Sequence, residues 1–425
     1  MLPKISLYGD EVVMTFTEIT DDLTGAVDSG SYFTARGQRL RIYTSPNASL
    51  ERCSGELLSV NMSSRNILPE LARKVHEDLT RHIPHERGDV FMKKIGTGFR
   101  GNDASELEGL LCGWPDFYVF IVDHAPDLGT FTLYGHQYCE GQILHKSLYA
   151  ADPVMPPTES YIPDILSKGT DIPIGLVDID KVKGGDLLAA VREQTENGRR
   201  IIVFDAITKD DTMRILCELM PVYPNVFWTG SLGIADGLAE HLFGSPLPQS
   251  QRQSRDIRSL CFTASGYEIV QKQIEYSRAR GLQVITLDVD AWIDGDGNIP
   301  FNAVTEASQA LKNSNVMVRP CVQKYSRRPG TNLRILACLG ETAMRLCRQP
   351  AFDRLVIVGG ETAQEIFART DVASLRLGLP LGTGIAEGTI MDGPLAGREF
   401  AMKGGSMGTP SSLETMMCRG DEDGV

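Results

Sequence analysis

The stretch TFTEITDDLTGAVDSG, residues 15 to 30, decides how the chain is read. Val12 to Ile19 is an apolar run with the length of a buried strand. Leu23, Ala26, Val27, Gly30 and Phe33 then recur at helical spacing. Between the two stand adjacent acids, Asp21 and Asp22, followed by Thr24 and Gly25. A strand that gives way directly to a helix is the unit of a doubly wound α/β sheet, in which ligands bind beyond the carboxyl ends of the strands. Two carboxylates at that point can orient a substrate hydroxyl, accept its proton or hold a divalent cation. The amides after them, at a helix N-terminus, favour anions. Helix capping by Asp22 is the plainer alternative, but one cap does not require two acids.

The same alternation continues outward. RLRIYT, LLSVNM, DVFMKKI, FYVFIVD, PIGLVDI, RIIVFDA and NVFWTG read as strands, with helical patterns such as ELARKVHEDLTRH and DLLAAVREQTENG between them. This predicts an N-terminal doubly wound, mostly parallel sheet over residues 1–245. FGSPLPQSQRQSRD, residues 243 to 256, is polar, contains two prolines and has no periodicity, so 246–257 is expected to be a linker. Alternation resumes over 258–425 with SLCFTAS, QVITLDV and RLVIVGG, predicting a second α/β domain. Two domains also suit a length of 425 residues.

Composition excludes several classes. The formal charge of −13 argues against a nucleic-acid surface, although a local basic pocket can still meet a small anion. Nine cysteines without a Cys-x-x-Cys pair support neither a zinc knuckle nor a dithiol motif, and fit a reducing compartment. No signal peptide or membrane-length apolar window is read, so a cytoplasmic protein without a membrane partner is expected.

KKIGTGFRGND, residues 93 to 103, places Lys93, Lys94 and Arg100 among three glycines where a strand again meets a helix. Arg100 suits a carboxylate, while a basic turn is the bland alternative. TASGYE (263–268), VGGETAQ (358–364) and KGGSMG (403–408) each put small residues after an apolar strand, as phosphate-cradling loops do. None matches a Walker or dinucleotide fingerprint, so tight turns remain an alternative for each. DGDGN at 294–298 lacks the glycine and the closing glutamate of a calcium loop and reads as a turn. HIPHE at 82–86 has the wrong spacing for a metalloprotease.

Together these stretches resemble the four-carbon acid sugar kinases. TDDLTGAVDSG is similar to that family's ADDLTGA-x-D opening, and KKIGTGFRGN to its KK-x-DSTLRGN. DPVMP at 152–156, IIVFDAITKDD at 201–211 and WTGSLGIADGLAEHL at 228–242 follow in family order, as do TASGYEIVQKQI, VGGETA and KGGSMG. The resemblance implies an N-terminal half that binds a sugar acid and a C-terminal half that binds ATP across an intervening cleft. It implies Asp22 and Arg100 as contacts to the acid, with Asp21 and Lys94 as secondary candidates, and Asp21 and Asp22 as the catalytic carboxylates. Ser265, Gly359, Gly360, Glu361, Thr362 and Gly405 would hold ATP, normally with Mg²⁺, whose ligands the sequence leaves unknown. The implied activity is ATP-dependent phosphorylation of a sugar-acid hydroxyl in carbohydrate catabolism. A non-catalytic sensor is the alternative, and a homo-oligomer is left open.

The departures bear on the substrate. Gly96-Thr97-Gly98-Phe99-Arg100 replaces DSTLR, removing an acid and a hydroxyl. His124 and Asp127 stand where small or apolar groups are common, and Ala264 and Tyr267 replace a glycine and a serine. Threonate or erythronate is the default, with 3-oxo or branched sugar acids such as oxo-isoapionate as alternatives.

Overall fold

A computed structural model describes residues 4–7, 10–13, 15–46, 50, 55–83, 85–86, 88–151, 156–248, 255–326, 328–349, 352–382 and 384–417. The chain divides into two units, Met1–Leu247 and Pro248–Val425. The expected linker straddles this division, and its residues 249–254 lie outside the described ones, as do residues 152–155 of the DPVMP segment and the Asp127 side chain.

In the first unit the chain runs β1 (Phe16–Thr20), α1 (Leu23–Thr34), β2 (Leu40–Tyr43), β3 (Leu57–Asn61), α2 (Pro69–Thr80), β4 (Val90–Lys94), α3 (Asp103–Gly113) and β5 (Tyr118–Val122). It continues through β6 (Ile174–Val177), α4 (Leu187–Glu196), β7 (Ile201–Phe204), α5 (Lys209–Leu219), β8 (Val226–Gly230) and α6 (Leu232–Phe243). These strands form one sheet in the order β6-β7-β5-β8-β4-β1-β3-β2. Every pairing in it is parallel, as the α/β reading requires. Most of its central strands are buried along their whole length, because helices cover both faces.

Strands β1 and β4 are neighbours whose onward connections leave in opposite directions, α1 toward β2 and α3 toward β5. That is the topological switch point, where a crevice opens beyond the strand ends. The register brings three ends level there: Thr20 lies opposite both Asn61 of β3 and Lys94 of β4.

The run expected as one strand from Val12 to Ile19 is two. Asp10–Val13 pairs antiparallel with Lys4–Leu7, whereas Phe16–Thr20 takes parallel partners on both sides. A small antiparallel sheet of Thr130–Leu133, His136–Cys139 and Gln142–Ile143 was also not expected.

The second unit contains β9 (Ser259–Thr263), α7 (Glu268–Arg278), β10 (Gln283–Asp288), α8 (Ile299–Ala310), β11 (Val316–Cys321), α9 (Thr331–Cys347), β12 (Arg354–Val358), α10 (Gly360–Arg369), β13 (Ser374–Gly382), β14 (Ile385–Ile390) and β15 (Glu399–Lys403). Its strand order is β13-β14-β15-β12-β9-β11-β10, with only the β13-β14-β15 edge antiparallel. The second switch point lies between β9 and β12, since α7 leads one way and α10 the other. Thr263, Val358 and Lys403 end level on three adjacent strands. The turn expected at 294–298 is present, and it leads into α8, which the sequence reading lacked. Among the described residues no helix is long and apolar enough to cross a membrane.

Glycines set the approach of α2 to α3. A Cβ on Gly109 would stand 2.1 Å from the Arg73 carbonyl oxygen, and one on Gly113 1.8 Å from Thr80 Oγ1. Gly109→Ala must therefore push two helices apart, and a loss of about 3 kcal/mol is expected from such overpacking. Calorimetry should show a melting temperature lowered by roughly 6–12 °C. Gly184→Ala, whose Cβ meets nothing within 4 Å, serves as the control and should leave the melting temperature unchanged or slightly raised.

Candidate functional site

Asp22 caps α1: its backbone is extended and its Oδ1 accepts from Gly25 N at 2.6 Å. The capping alternative is thus real, but both acids also bind one cation. Arg65, in the loop after β3, sends Nε to Asp21 Oδ2 at 2.7 Å and Nη1 to Asp22 Oδ2 at 2.6 Å. The backbone fastens the same loop, with Met62 N donating to Thr20 O and Ser64 N to Asp21 O. Asp21 is fully buried. Burial opposes its ionisation, but Arg65, Lys94 and Lys93 together outweigh that and hold the carboxyl well below its usual range.

Lys93 and Lys94 end β4 and point to opposite sides, as consecutive strand residues must. Lys93 Nζ pairs with Glu106 of α3 at 2.7 Å in a fully buried contact. Ser64 Oγ reaches the other Glu106 oxygen at 2.5 Å, tying the Arg65 loop to α3. Lys94 Nζ donates to Ile95 O at 2.7 Å and crosses the first turn of α1, 3.3 Å from where a Gly25 Cβ would be. Gly25 is required there, since that Cβ would also strike Asp22 Oδ1 at 2.7 Å.

The glycine loop closes on the same corner. A Cβ on Gly96 would meet Arg100 O at 3.2 Å and Arg65 Nη2 at 3.3 Å, and one on Gly101 would approach Asp21 Oδ2 and Asp103. Gly98 has φ +84 and Phe99 φ +50, the latter a conformation a bulky residue rarely adopts. Arg100 Nε donates to Thr97 O, and its guanidinium lies 4.8 Å from the Tyr149 ring centroid. Burial pushes the Tyr149 hydroxyl up to about 12. Asp21, Asp22 and Lys94 therefore converge at the first switch point, while Arg100 stands on the adjoining glycine loop with its guanidinium against Tyr149. Asp123, at the end of β5, accepts from Ser231 N and Gln137 Nε2, so it orients the start of α6.

Sequence reasoning missed Arg65 and Tyr149. Arg65 had a usable signal, a basic residue a few positions past the end of a buried strand. Tyr149 had none, because it reaches Arg100 from a segment 49 residues further along the chain.

In the second unit Ser265, Gly359, Thr362 and Gly405 are also brought together. Thr362 Oγ1 accepts from Ala264 N at 3.3 Å, and Gly359 N donates to Lys403 O at 2.9 Å. A Cβ on Gly405 would lie 2.6 Å from Ser265 Oγ. Gly359 has φ +113 and stands immediately before α10, whose first residues are Gly360, Glu361 and Thr362. Lys403 is wholly buried and donates to the carbonyls of Gly404 and Met407. Burial pulls its ammonium down to about 8. The N-terminus of α10, the glycines beside it and a buried cation fit a polyphosphate. Among the described residues no group of three side chains suited to a metal ion converges.

Comparison with known proteins agrees with this division. Residues 17–238 match a sugar-binding N-terminal domain, and residues 260–413 match a nucleotide-binding C-terminal domain. The chain is 24% identical over 420 residues to a D-threonate kinase of Salmonella typhimurium, covering 94% of this chain and 97% of the relative. It is 26% identical to a D-erythronate kinase of Heliobacterium modesticaldum, covering 65% of this chain and 63% of that one. It is 24% identical to a 3-oxo-tetronate kinase of Pseudomonas fluorescens, covering 92% and 93%. A solved structure from Salmonella typhimurium, described as a putative tRNA synthase, shares the fold with TM-score 0.79 at 18% identity, covering 94% of this chain and 98% of that one. A Haemophilus influenzae protein does so with TM-score 0.72 at 18% identity, covering 94% and 99%. With both of its domain models matched in order, the chain belongs to the four-carbon acid sugar kinase family.

Proposed function

We propose that the protein is an ATP-dependent kinase that phosphorylates a hydroxyl of a four-carbon acid sugar, a step of carbohydrate breakdown. The observation that carries this reading is the corner where Arg65 and Lys94 surround Asp21 and Asp22 at a sheet switch point, with Arg100 on the glycine loop that packs against Arg65. It offers a small organic anion three cations and its hydroxyls two carboxylates. The names of the relatives, D-threonate, D-erythronate and 3-oxo-tetronate kinase, support a substrate of that class.

In this reading Arg100, stacked on Tyr149, and Arg65 take the sugar carboxylate, while Lys94 and Asp22 fix its hydroxyls. Asp21 keeps Arg65 in place. The Gly359 to Thr362 turn, Ser265, Gly405 and Lys403 hold the triphosphate in the second unit. Phosphoryl transfer gains chiefly from positioning and from neutralising phosphate charge, which these groups supply. Mg²⁺ is expected with the nucleotide, and no step is assigned to it; no group of three metal-binding side chains converges among the described residues.

A coupled assay of ADP release with D-threonate, D-erythronate and 3-oxo-tetronate tests the proposal. At least one acid should turn over. Arg65→Met should cut kcat/KM about a hundredfold, since it removes a charge-assisted contact and leaves two carboxylates without their partner. ADP release with none of the acids, while ATP and an acid each raise the melting temperature, would favour the sensor instead.

Lys403 generates a pH prediction. Its folded pKa of about 8 lies below the ordinary lysine value, so the ammonium that meets phosphate is lost as pH rises through 8. Nucleotide affinity, measured by calorimetry, should fall about tenfold between pH 7 and pH 9, with proton uptake on binding. Lys403→Met should bind weakly and without that slope.

A further inference from the structure

Transfer of a phosphoryl group to a hydroxyl leaves a proton to be placed, and the two acids of the TDDLTG corner are poorly suited to receive it. Asp22 uses Oδ1 to cap α1 and Oδ2 to bind Arg65. Asp21 has a buried Oδ1 without a hydrogen-bond partner among the described residues, but Arg65 and the two lysines hold that carboxyl well below its usual range. Three other acids around the corner keep a buried oxygen without a hydrogen-bond partner among the described residues, Asp28, Asp103 and Glu106, of which Glu106 is spent on the ion pair with Lys93. Asp103, on α3 behind Gly101, is only 4% exposed, which leaves it little access to a ligand, and burial with Glu106 and Asp21 nearby drives its pKa well up. Asp28 is different. It lies on α1, three residues beyond Gly25 and four beyond Thr24, on the helix face that Lys94 crosses, and it is partly exposed.

We propose that Asp28 is the proton-accepting residue of the transfer, and that Asp21 and Asp22 act by holding Arg65 and the substrate. This rests on the kinase reading above. In the step, the sugar O–H bond breaks and its proton passes to the Asp28 carboxylate. The freed oxygen forms the new O–P bond to the γ-phosphorus of ATP. The old bond from that phosphorus to the bridging oxygen breaks, and ADP leaves with the electron pair. Lys94, beside Asp28, steadies the charge on the attacking oxygen.

The electrostatics agree with the geometry. Burial pushes Asp28 up to about 7; Lys94 from the end of β4 and Arg65 from the loop after β3 oppose this, while Asp22 and Glu18 of β1 add to it. A base works best with a pKa near the working pH, where it is ionised before transfer and can still keep the proton.

The experiment uses the full chain with ATP and whichever of the three acids turns over. Asp28→Asn is expected to lower kcat about a hundredfold or more, the usual worth of a general base, with little change in the acid's KM. Wild-type kcat should fall as pH drops below about 7, and that limb should vanish in Asp28→Asn while Asp28→Glu restores part of the rate. Melting temperatures check folding, and the wild-type pH profile needs no variant. Loss of kcat in Asp28→Asn of less than threefold, or a wild-type profile without the acidic limb, overturns Asp28 as the base and leaves the kinase reading intact. Failure of the wild type to release ADP with any acid overturns the kinase reading and this inference with it.

Discussion

The bridge from Arg65 to Asp21 and Asp22 is the interaction on which the first unit's site depends. Asp21 is inaccessible to water, and an unpaired carboxylate in such a place costs several kcal/mol even after the protein relaxes. The guanidinium removes that cost with two short, charge-assisted contacts in a fork that suits carboxylates. It also does mechanical work. Arg65 belongs to the loop after β3, the acids follow β1, and the glycines packed on the guanidinium follow β4. One side chain thus locks the ends of three neighbouring strands around the crevice, and Ser64, through Glu106 and Lys93, extends the lock to α3.

The two units use one topology with opposite charge logic. In each, a helix starts at a switch point and small residues let backbone approach a ligand. The first unit balances its cations with acids in contact, so its site is fastened before anything binds. In the second unit Lys403 donates to two carbonyl oxygens, and no acid pairs with it among the described residues. A buried ammonium so placed is costly in the free protein and relieved by an anion, which makes it a source of phosphate affinity. Two acids of the second unit are spent elsewhere: Glu387 and Glu399 surround Arg354, and Arg255 with Arg354 helps hold Glu399 near 2.

The parallel strands were legible because burial on both faces makes them near-continuous apolar runs bounded by turns. Runs such as YVFIV and IIVF allow little else. The small sheet after β5 was not legible for the opposite reason. Its strands are two to four residues long, and its turns are Tyr134-Gly135 and Glu140-Gly141, with both residues of each pair at positive φ. That geometry normally selects asparagine or aspartate before the glycine, so tyrosine and glutamate gave no signal. Helix α8 was hidden by the turn that introduces it. The candidate site was legible as two motifs, 20–30 and 93–103, but not as a network. Ion pairing across 43 and 44 residues leaves no periodic trace, and the cation that joins the motifs lay in a loop with no pattern of its own.

The glycine loop shows why side-chain losses need not weaken a site. Gly96 admits the Arg65 guanidinium, Gly98 lies against Tyr149, and Phe99 turns into the hydrophobic core. None of the three can hydrogen-bond a ligand through its side chain. The task moves to Arg65, Lys94 and Arg100, which only donate, and to the carboxylates of the TDDLTG corner, which accept when ionised. A ligand hydroxyl near this loop must therefore find its acceptor in Asp21, Asp22, Asp28 or a backbone carbonyl, whereas a ligand carboxylate or keto oxygen has donors to spare. Such a wall penalises a misplaced hydroxyl more than a missing one, because an unpaired buried donor costs more than an interaction never made. The loop thus narrows the substrate by what it leaves unpaired, and the glycines that read as flexibility in the sequence act as shape.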